Sequence, residues 1–420
     1  MRRGPASFRP ATAEEYGRWV RGGHLKSGGT EIELGPRIED CTIVNVTGTG
    51  VLVVGQGPGP IVAGCLFEGN TGRAVDLDSW TFGVRISGCE FRSCGTGVRL
   101  AAYADGVQVP CELTDCNAHD NLGPGLLIDA NPEGWTQALV TGSRFERNAG
   151  PGIRSYHGLA LENVDLVGNE AEGLVVRGSG AGYDLTVRGG RIAENGGDGI
   201  ATVQSGRFEV EDARIVANAG WGLAVDDGLV GESVLRRAVV AANEAGGVSI
   251  LEQPSGASLS ILETTISGNT GPGIRHEAPA GGLAARMERT IIAENSVALR
   301  LGRSSPFIEV TCTDIHGNDG GNWIPQLSSF YEVGGNFSAD PRFCDAPLGD
   351  WSLREDSPCA PGNHPDGVEC GLIGALPVGC PSSLAAGEPP ASPGIGVSLQ
   401  PSVPNPFRGT TAIACLLYTS

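Results

Sequence analysis

Lysine is almost missing from this chain: Lys26 is the only one among 29 basic residues, so arginine supplies nearly all the positive charge. Acidic residues outnumber basic ones, 48 to 29, and the resulting net charge of -19 disfavours nucleic-acid backbones and anionic membranes as partners. Aromatic residues are scarce at 5% and methionine occurs twice, so no thick aromatic core is available. No run of about 18 apolar residues exists, so no segment reads as a membrane-spanning helix. The opening "MRRGPASFRPATAEEY" has positive charge but no apolar region after it, and is not a recognisable signal peptide.

What the chain does have is glycine, 66 residues in 420, with 40% hydrophobic content. That combination suits a fold of many tight turns around a thin interior. The glycines recur in a phrase: "NLGPGL" at Asn121, "NAGPGI" at Asn148, "NTGPGI" at Asn269. Looser copies begin at Asn169, Asn195, Asn218 and Asn243. Anchors at Asn45, Asn70, Asn121, Asn148, Asn169, Asn195, Asn218, Asn243, Asn269, Asn295 and Asn318, with Cys94 in the one vacancy, repeat with a mean period of about 25 residues. A period in this range signals a solenoid.

The columns around the anchor say which solenoid. Three residues before it stand Phe67, Phe91, Ala118, Phe145, Leu166, Ile192, Ile215, Val240, Ile266, Ile292 and Ile315, and five after it Val75, Leu126, Ile153, Leu174, Ile200, Leu223, Val248 and Ile274. A third apolar segment precedes each unit, as in "QALVTGS" and "YDLTVRGG". Short β-rich segments, with no room for a helix of about 10 residues, predict coils of two or three strands, each pairing in parallel one coil on at about 4.8 Å. About 12 coils make a rod of roughly 55 Å. Identical columns then stack: aliphatic residues inside, and an asparagine ladder at a turn. The asparagine is expected in the left-handed conformation, with its glycines at further positive-φ positions. The pattern resembles the right-handed parallel β-helix repeat family, the pectate-lyase-like superfold, over about residues 40–320. The resemblance implies an all-β solenoid and points only weakly to an activity.

Cys65, Cys89 and Cys116 fall five residues before their anchors, in a column continued by Ser143, Thr264, Thr290 and Thr313. Stacked neighbours have parallel Cβ vectors, which favours buried free thiols over bridges; Cys94 and Cys111 are open to either state. The segment 331–380 differs: four cysteines among Gly, Pro and Asp predict a disulfide-stapled cap over the open end, as Cys359–Cys370 and Cys344–Cys380. Zinc is the rival, but the wide spacings lack a Cys-x-x-Cys pair. Residues 1–39 are expected to form an N-terminal cap, 40–330 the β-helix and 381–396 a Pro/Ser/Gly-rich linker. Pro404, Asn405, Pro406, Phe407, Thr410, Thr411 and Ile413, within 397–414, resemble the start of the bacterial C-terminal sorting domain of type IX secretion. That resemblance implies export to the outer surface or beyond, with the secretion machinery as a partner. The last six residues, "CLLYTS", resemble a translated sequencing adapter and are set apart.

For chemistry, positions six and eight after the anchor should point outward. One cluster stands out there: Asp129, Tyr156 and Arg177 on successive coils, with Arg154 and His157 beside them. A carboxylate, an aromatic ring and two guanidiniums suit a sugar or uronate chain. Neither a calcium-holding group of carboxylates nor a paired-carboxylate hydrolase site is assembled: Asp226–Asp227 lies three coils from His157–Gly158, about 14 Å. No catalytic residue, metal or cofactor is called for. The leading expectation is an exported, surface-attached β-helix that binds glycans or serves as a structural or adhesive rod. A secreted polysaccharide lyase or glycoside hydrolase is the alternative.

Overall fold

The computed structural model describes residues 37–382 apart from 103–110, 130–137, 179–183, 204–205, 227–228, 230, 252–255, 278–282 and 303–305. The linker from residue 383 on, the sorting-like stretch and the adapter-like end therefore lie outside the described residues. Three parallel sheets wind around one core. Sheet A has 12 strands, from Arg37–Glu39 to Phe307–Thr311; sheet B has 12, from Thr42–Val44 to Asp314–His316; sheet C has 11, from Val51–Pro58 to Leu299–Leu301. Each strand bonds the one three before and the one three after it, which makes each A–B–C triplet one coil. The first described strand, Arg37–Glu39, already pairs within sheet A, inside the 1–39 segment expected to be a cap.

Outside the first coils most strands have only three to six residues, which suffices because each supplies one or two inward side chains to columns shared by the whole rod. Phe67, Phe91, Ala118, Phe145, Leu166, Ile192 and Ile215 stack on sheet B with at most 1% exposure. Phe67 and Phe91 lie ring on ring, 5.2 Å between centroids. At about 1.5–3 kcal/mol for each fully buried aliphatic or phenyl side chain, these columns dominate stability.

The corners correct two expectations. The left-handed residue is not the anchor asparagine but the one before it: Gly69, Ser93, Asp120, Arg147, Gly168, Glu194, Ala217 and their counterparts have φ between 48° and 65°. A second such column, from Asp40 to Cys312, turns sheet A into sheet B. Asn45 belongs to the left-handed column, with φ 55°, and is exposed; Val46 occupies the ladder position and donates its N–H to Asn70 Oδ1. A count from the sequence slips here because Asn tolerates either place.

From Asn121 to Asn318 the ladder is continuous. Each Nδ2 donates to the next Oδ1 at 2.8–3.0 Å and to a backbone carbonyl one coil back, while each Oδ1 also takes the preceding asparagine's N–H. All four hydrogen-bonding valences of a buried amide are thereby used. The glycines of the repeated phrase have a different cause from the one expected. A Cβ on Gly152 would meet Gly173 O at 2.8 Å and Asn169 Nδ2 at 2.9 Å, and Gly173 and Gly199 are crowded in the same way by the next coil. The ladder itself forbids a side chain there.

Cys65, Cys89, Cys94, Cys111 and Cys116 are buried free thiols, and burial pushes Cys65 up to about 11 and Cys111 up to about 12. They act as small column members: Cys94 N–H donates to Asn121 Oδ1, and Cys116 N–H to Ser143 Oγ.

The C-terminal end differs from the expected plug. The last coil is closed by a 3-10 turn, Pro325–Phe330, whose Leu327 is fully buried against the core with Trp323, Ile324 and Phe330. The Cys-rich segment instead runs back along the outside of sheet B. Trp351, Phe343 and Leu376 pack on Ala193, Val216, Val239 and Ala241, while Phe337, Leu353 and Ile373 pack on Ile291 and Ala293. Cys344–Cys380 is bridged, but Cys370 pairs with Cys312, leaving Cys359 free. Cys312 occupies a left-handed corner, a column whose other members face outward, so it meets the returning segment. Cys359 is instead buried against Asp314, donating Sγ–H to Oδ2 at 3.3 Å.

Candidate functional site: the outer face of sheet C

Along sheet C one outward column reads Asp76, Arg99, Leu127, Arg154, Val175, Ala201, Ala224, Ser249, Arg275, Arg300 in unbroken register. The pleat fixes which residues face out, because strand neighbours of Arg154, namely Ile153 and Ser155, are fully buried.

The structure divides the cluster expected from sequence. Asp129 is held by Arg99, whose Nη2 lies 2.7 Å away and whose Nε donates at 2.9 Å. Arg99 also pairs with Asp76 at 3.0 Å, and Arg73 bonds Asp76, forming a chain of alternating charge. Burial alone would lower the Arg99 guanidinium, but its bonds to Asp129 and Asp76 outweigh that and raise it. Arg99, Asp76 and Arg73 were missed because the partner of Asp129 was sought on later coils, not the preceding one. His157 is 5% exposed, its N–H donating to Ser155 Oγ, which in turn donates to the His157 carbonyl. Burial lowers its pKa against the opposing effect of Asp129.

Three of the expected residues remain together on the surface. Arg154 is half-buried, with Nε shielded from solvent and without a hydrogen-bond partner. Tyr156 follows two residues on, half-buried, its backbone N–H bonded to Ile128 O. Arg177 closes the strand Leu174–Arg177 on the next coil and is exposed. Asp226, from the rival carboxylate pair, lies three strands from Ser155, and Asp227 is outside the described residues.

Charge pairing sets this face apart. On sheet A, Arg85 meets Glu112, Arg188 meets Glu209, and Arg236 meets Glu211 across neighbouring strands. At the corners Arg147 meets Asp120 and Arg237 meets Asp212. Among the described residues the arginines in no ion pair are Arg154, Arg177, Arg214, Arg275 and Arg300, and all but Arg214 belong to sheet C. Arg275 and Arg300 also escaped the sequence reading. Arg275 stands six residues after its anchor, as Arg154 does, but Arg300 stands five after Asn295 because the corner from Asn295 into sheet C is one residue shorter.

A family model described as the right handed beta helix region matches residues 78–229 and 128–278. With three parallel sheets and about 12 coils of about 25 residues, the chain is a right-handed parallel β-helix. No curated protein matches it by sequence. Among solved structures it is similar to the A-module of a mannuronan C-5 epimerase of Azotobacter vinelandii, at 17% identity over 72% of this chain and 81% of that one, TM-score 0.42. A periplasmic alginate epimerase gives 14% identity, 65% and 72% coverage and a TM-score of 0.47. A mannuronic acid specific polysaccharide lyase of family 6 from human gut microbiota gives 13%, 75% and 88%, and 0.38.

Proposed function

We propose that this protein is an exported, cell-surface-associated β-helix that binds an acidic glycan chain on the outer face of sheet C, around Arg154, Tyr156 and Arg177. The observation that carries the reading is the presence of unpaired guanidiniums on one face of a chain with net charge -19, while among the described residues all the other arginines but Arg214 are in ion pairs. A guanidinium offers a planar fork to a carboxylate, and a tyrosine ring beside it offers a flat surface and a hydroxyl to a sugar. A dense phosphate polymer would be repelled by the rest of the molecule. The two disulfides and the sorting-like residues near Asn405 support export to an oxidising compartment.

Calorimetry with oligogalacturonate and with a neutral cello-oligosaccharide tests this. The acidic oligomer should bind, more weakly as salt rises, and Arg154→Ala or Arg177→Ala should each weaken it roughly tenfold. Equal binding of the neutral sugar, or unchanged affinity in the double variant, would remove the reading. Release of unsaturated products during the titration would replace it with a lyase.

A further inference from the structure

Five strand steps along the rod from Arg154, the same outward column reaches Arg275 and then Arg300. At about 4.8 Å per step the two pairs of guanidiniums stand about 24 Å apart. We propose that Arg275 and Arg300, with Trp221, form a second subsite for an acidic sugar, so that the ligand is a polymer long enough to engage both ends of the face. The proposal rests on the glycan reading above and adds to it a second site and a minimum length.

The second subsite is built, not merely exposed. The Arg275 guanidinium lies over the Trp221 ring, 4.9 Å from its centroid, and its Nε is shielded without a hydrogen-bond partner. Stacking orients a planar guanidinium while leaving its edge donors free to point at a ligand. Trp221 reaches Arg275 across the intervening coil only because Gly246 stands there: a Cβ on Gly246 would meet the ring at 2.2 Å. The tryptophan is itself anchored, its backbone N–H donating to Asp198 Oδ1 at 2.6 Å. Between the two arginine ends this column carries only short side chains, Val175, Ala201, Ala224 and Ser249, each at most 9% exposed.

The charge pattern favours two separated anchors. Asp198, mid-face, is raised above its usual range first by burial and further by Glu172 and Asp226 nearby. A carboxylate of the ligand is repelled from that middle and attracted at both ends, while sugar hydroxyls can donate to the central carboxylates. Linking two such contacts makes the second one intramolecular, so affinity should rise with length once the span is covered.

The test uses size-fractionated oligogalacturonate, one fraction too short to span about 24 Å and one that spans it, with calorimetry and tryptophan fluorescence as readouts. The long fraction should bind at least about tenfold tighter than the short one. Arg275→Ala/Arg300→Ala should reduce the long fraction to the affinity of the short one, and Arg275→Lys should only partly restore it, since an ammonium cannot stack or fork as a guanidinium does. A far-ultraviolet thermal midpoint matching wild type confirms that the variants are folded. Equal affinity for both fractions overturns the proposal. So does unchanged long-fraction affinity in Arg275→Ala/Arg300→Ala when Arg154→Ala/Arg177→Ala abolishes binding; the glycan reading then survives alone. Loss in the Arg275 variant with none in the Arg154 variant overturns the two-ended span, because one subsite then binds the ligand by itself. No binding of either fraction by wild type overturns both.

Discussion

The outward residues of sheets B and C both change along the rod, but what meets them differs. Up to Asp165, sheet B presents charge: Arg92 with Glu68, His119 with Glu90, Arg144 with Asp165. From Ala193 on, apart from the exposed Arg214, it presents Ala193, Val216, Val239, Ala241, Thr265, Ser267, Ile291 and Ala293, each at most 8% exposed under the returning segment 343–376. Sheet C instead holds arginines at both ends of a small-residue floor, with no partner for them among the described residues. The contrast separates two kinds of unsatisfied surface. An apolar stripe is covered by the chain's own continuation, because hydrophobic burial needs only contact area. Unpaired exposed guanidiniums are solvated by water and keep their donors available to an anionic ligand.

The sharpest way to break the comparison is to remove the cover from sheet B. Trp351 is 6% exposed and packs on Ala193, Val216, Val239 and Ala241, so Trp351→Ala should cost about 3–5 kcal/mol. A thermal midpoint unchanged by this substitution would mean that the segment rests on the sheet without stabilising it.

Beneath the same cover, Asp314 is held at about 7, raised chiefly by burial against the opposing hydrogen bonds from Ala339 N–H and Cys359 Sγ. An acid whose folded pKa exceeds its unfolded value binds its proton more tightly when folded. Its contribution is therefore fully present below the unfolded value and lost as pH rises from about 4 to about 7, by up to about 4 kcal/mol. Denaturation at the two pH values should show a decline in wild type that Asp314→Asn flattens; parallel declines would refute the linkage.

A smaller effect tests the frame shared by both faces. Asn218→Leu removes the bonds to Asn243 Oδ1 and Ile192 O and leaves the Asn195 donors without an acceptor, costing about 1–3 kcal/mol. Since the ladder sits between sheets B and C, stability should fall without selective loss of glycan affinity. A midpoint equal to wild type would count against the ladder's structural weight.

Much of this was legible in the residues. The period, the three apolar columns, the ladder from Asn70 onward and the free-thiol stack follow from a repeat in which each residue meets its own counterpart one coil on. The Asn45 slip shows the limit: a single asparagine fits either the corner or the ladder, and only the pairing of Val44 with Glu68 decides. Arg154, Tyr156 and Arg177 share a face by strand alternation alone, so their grouping could be read from position.

What the sequence determined by itself is the period and the columns that repeat, because stacking converts a one-dimensional period directly into three-dimensional neighbours; which residue of each corner turns left-handed was not among them. What only the tertiary structure decided is everything that leaves the repeat. The Cys312–Cys370 bridge spans 58 residues, and the returning segment chooses sheet B over the open end. Asp129 turns back to Arg99, and Trp221 crosses Gly246 to reach Arg275. Such contacts join residues of unrelated column or distant coil, and their choice depends on side-chain reach and competing partners, which no period encodes.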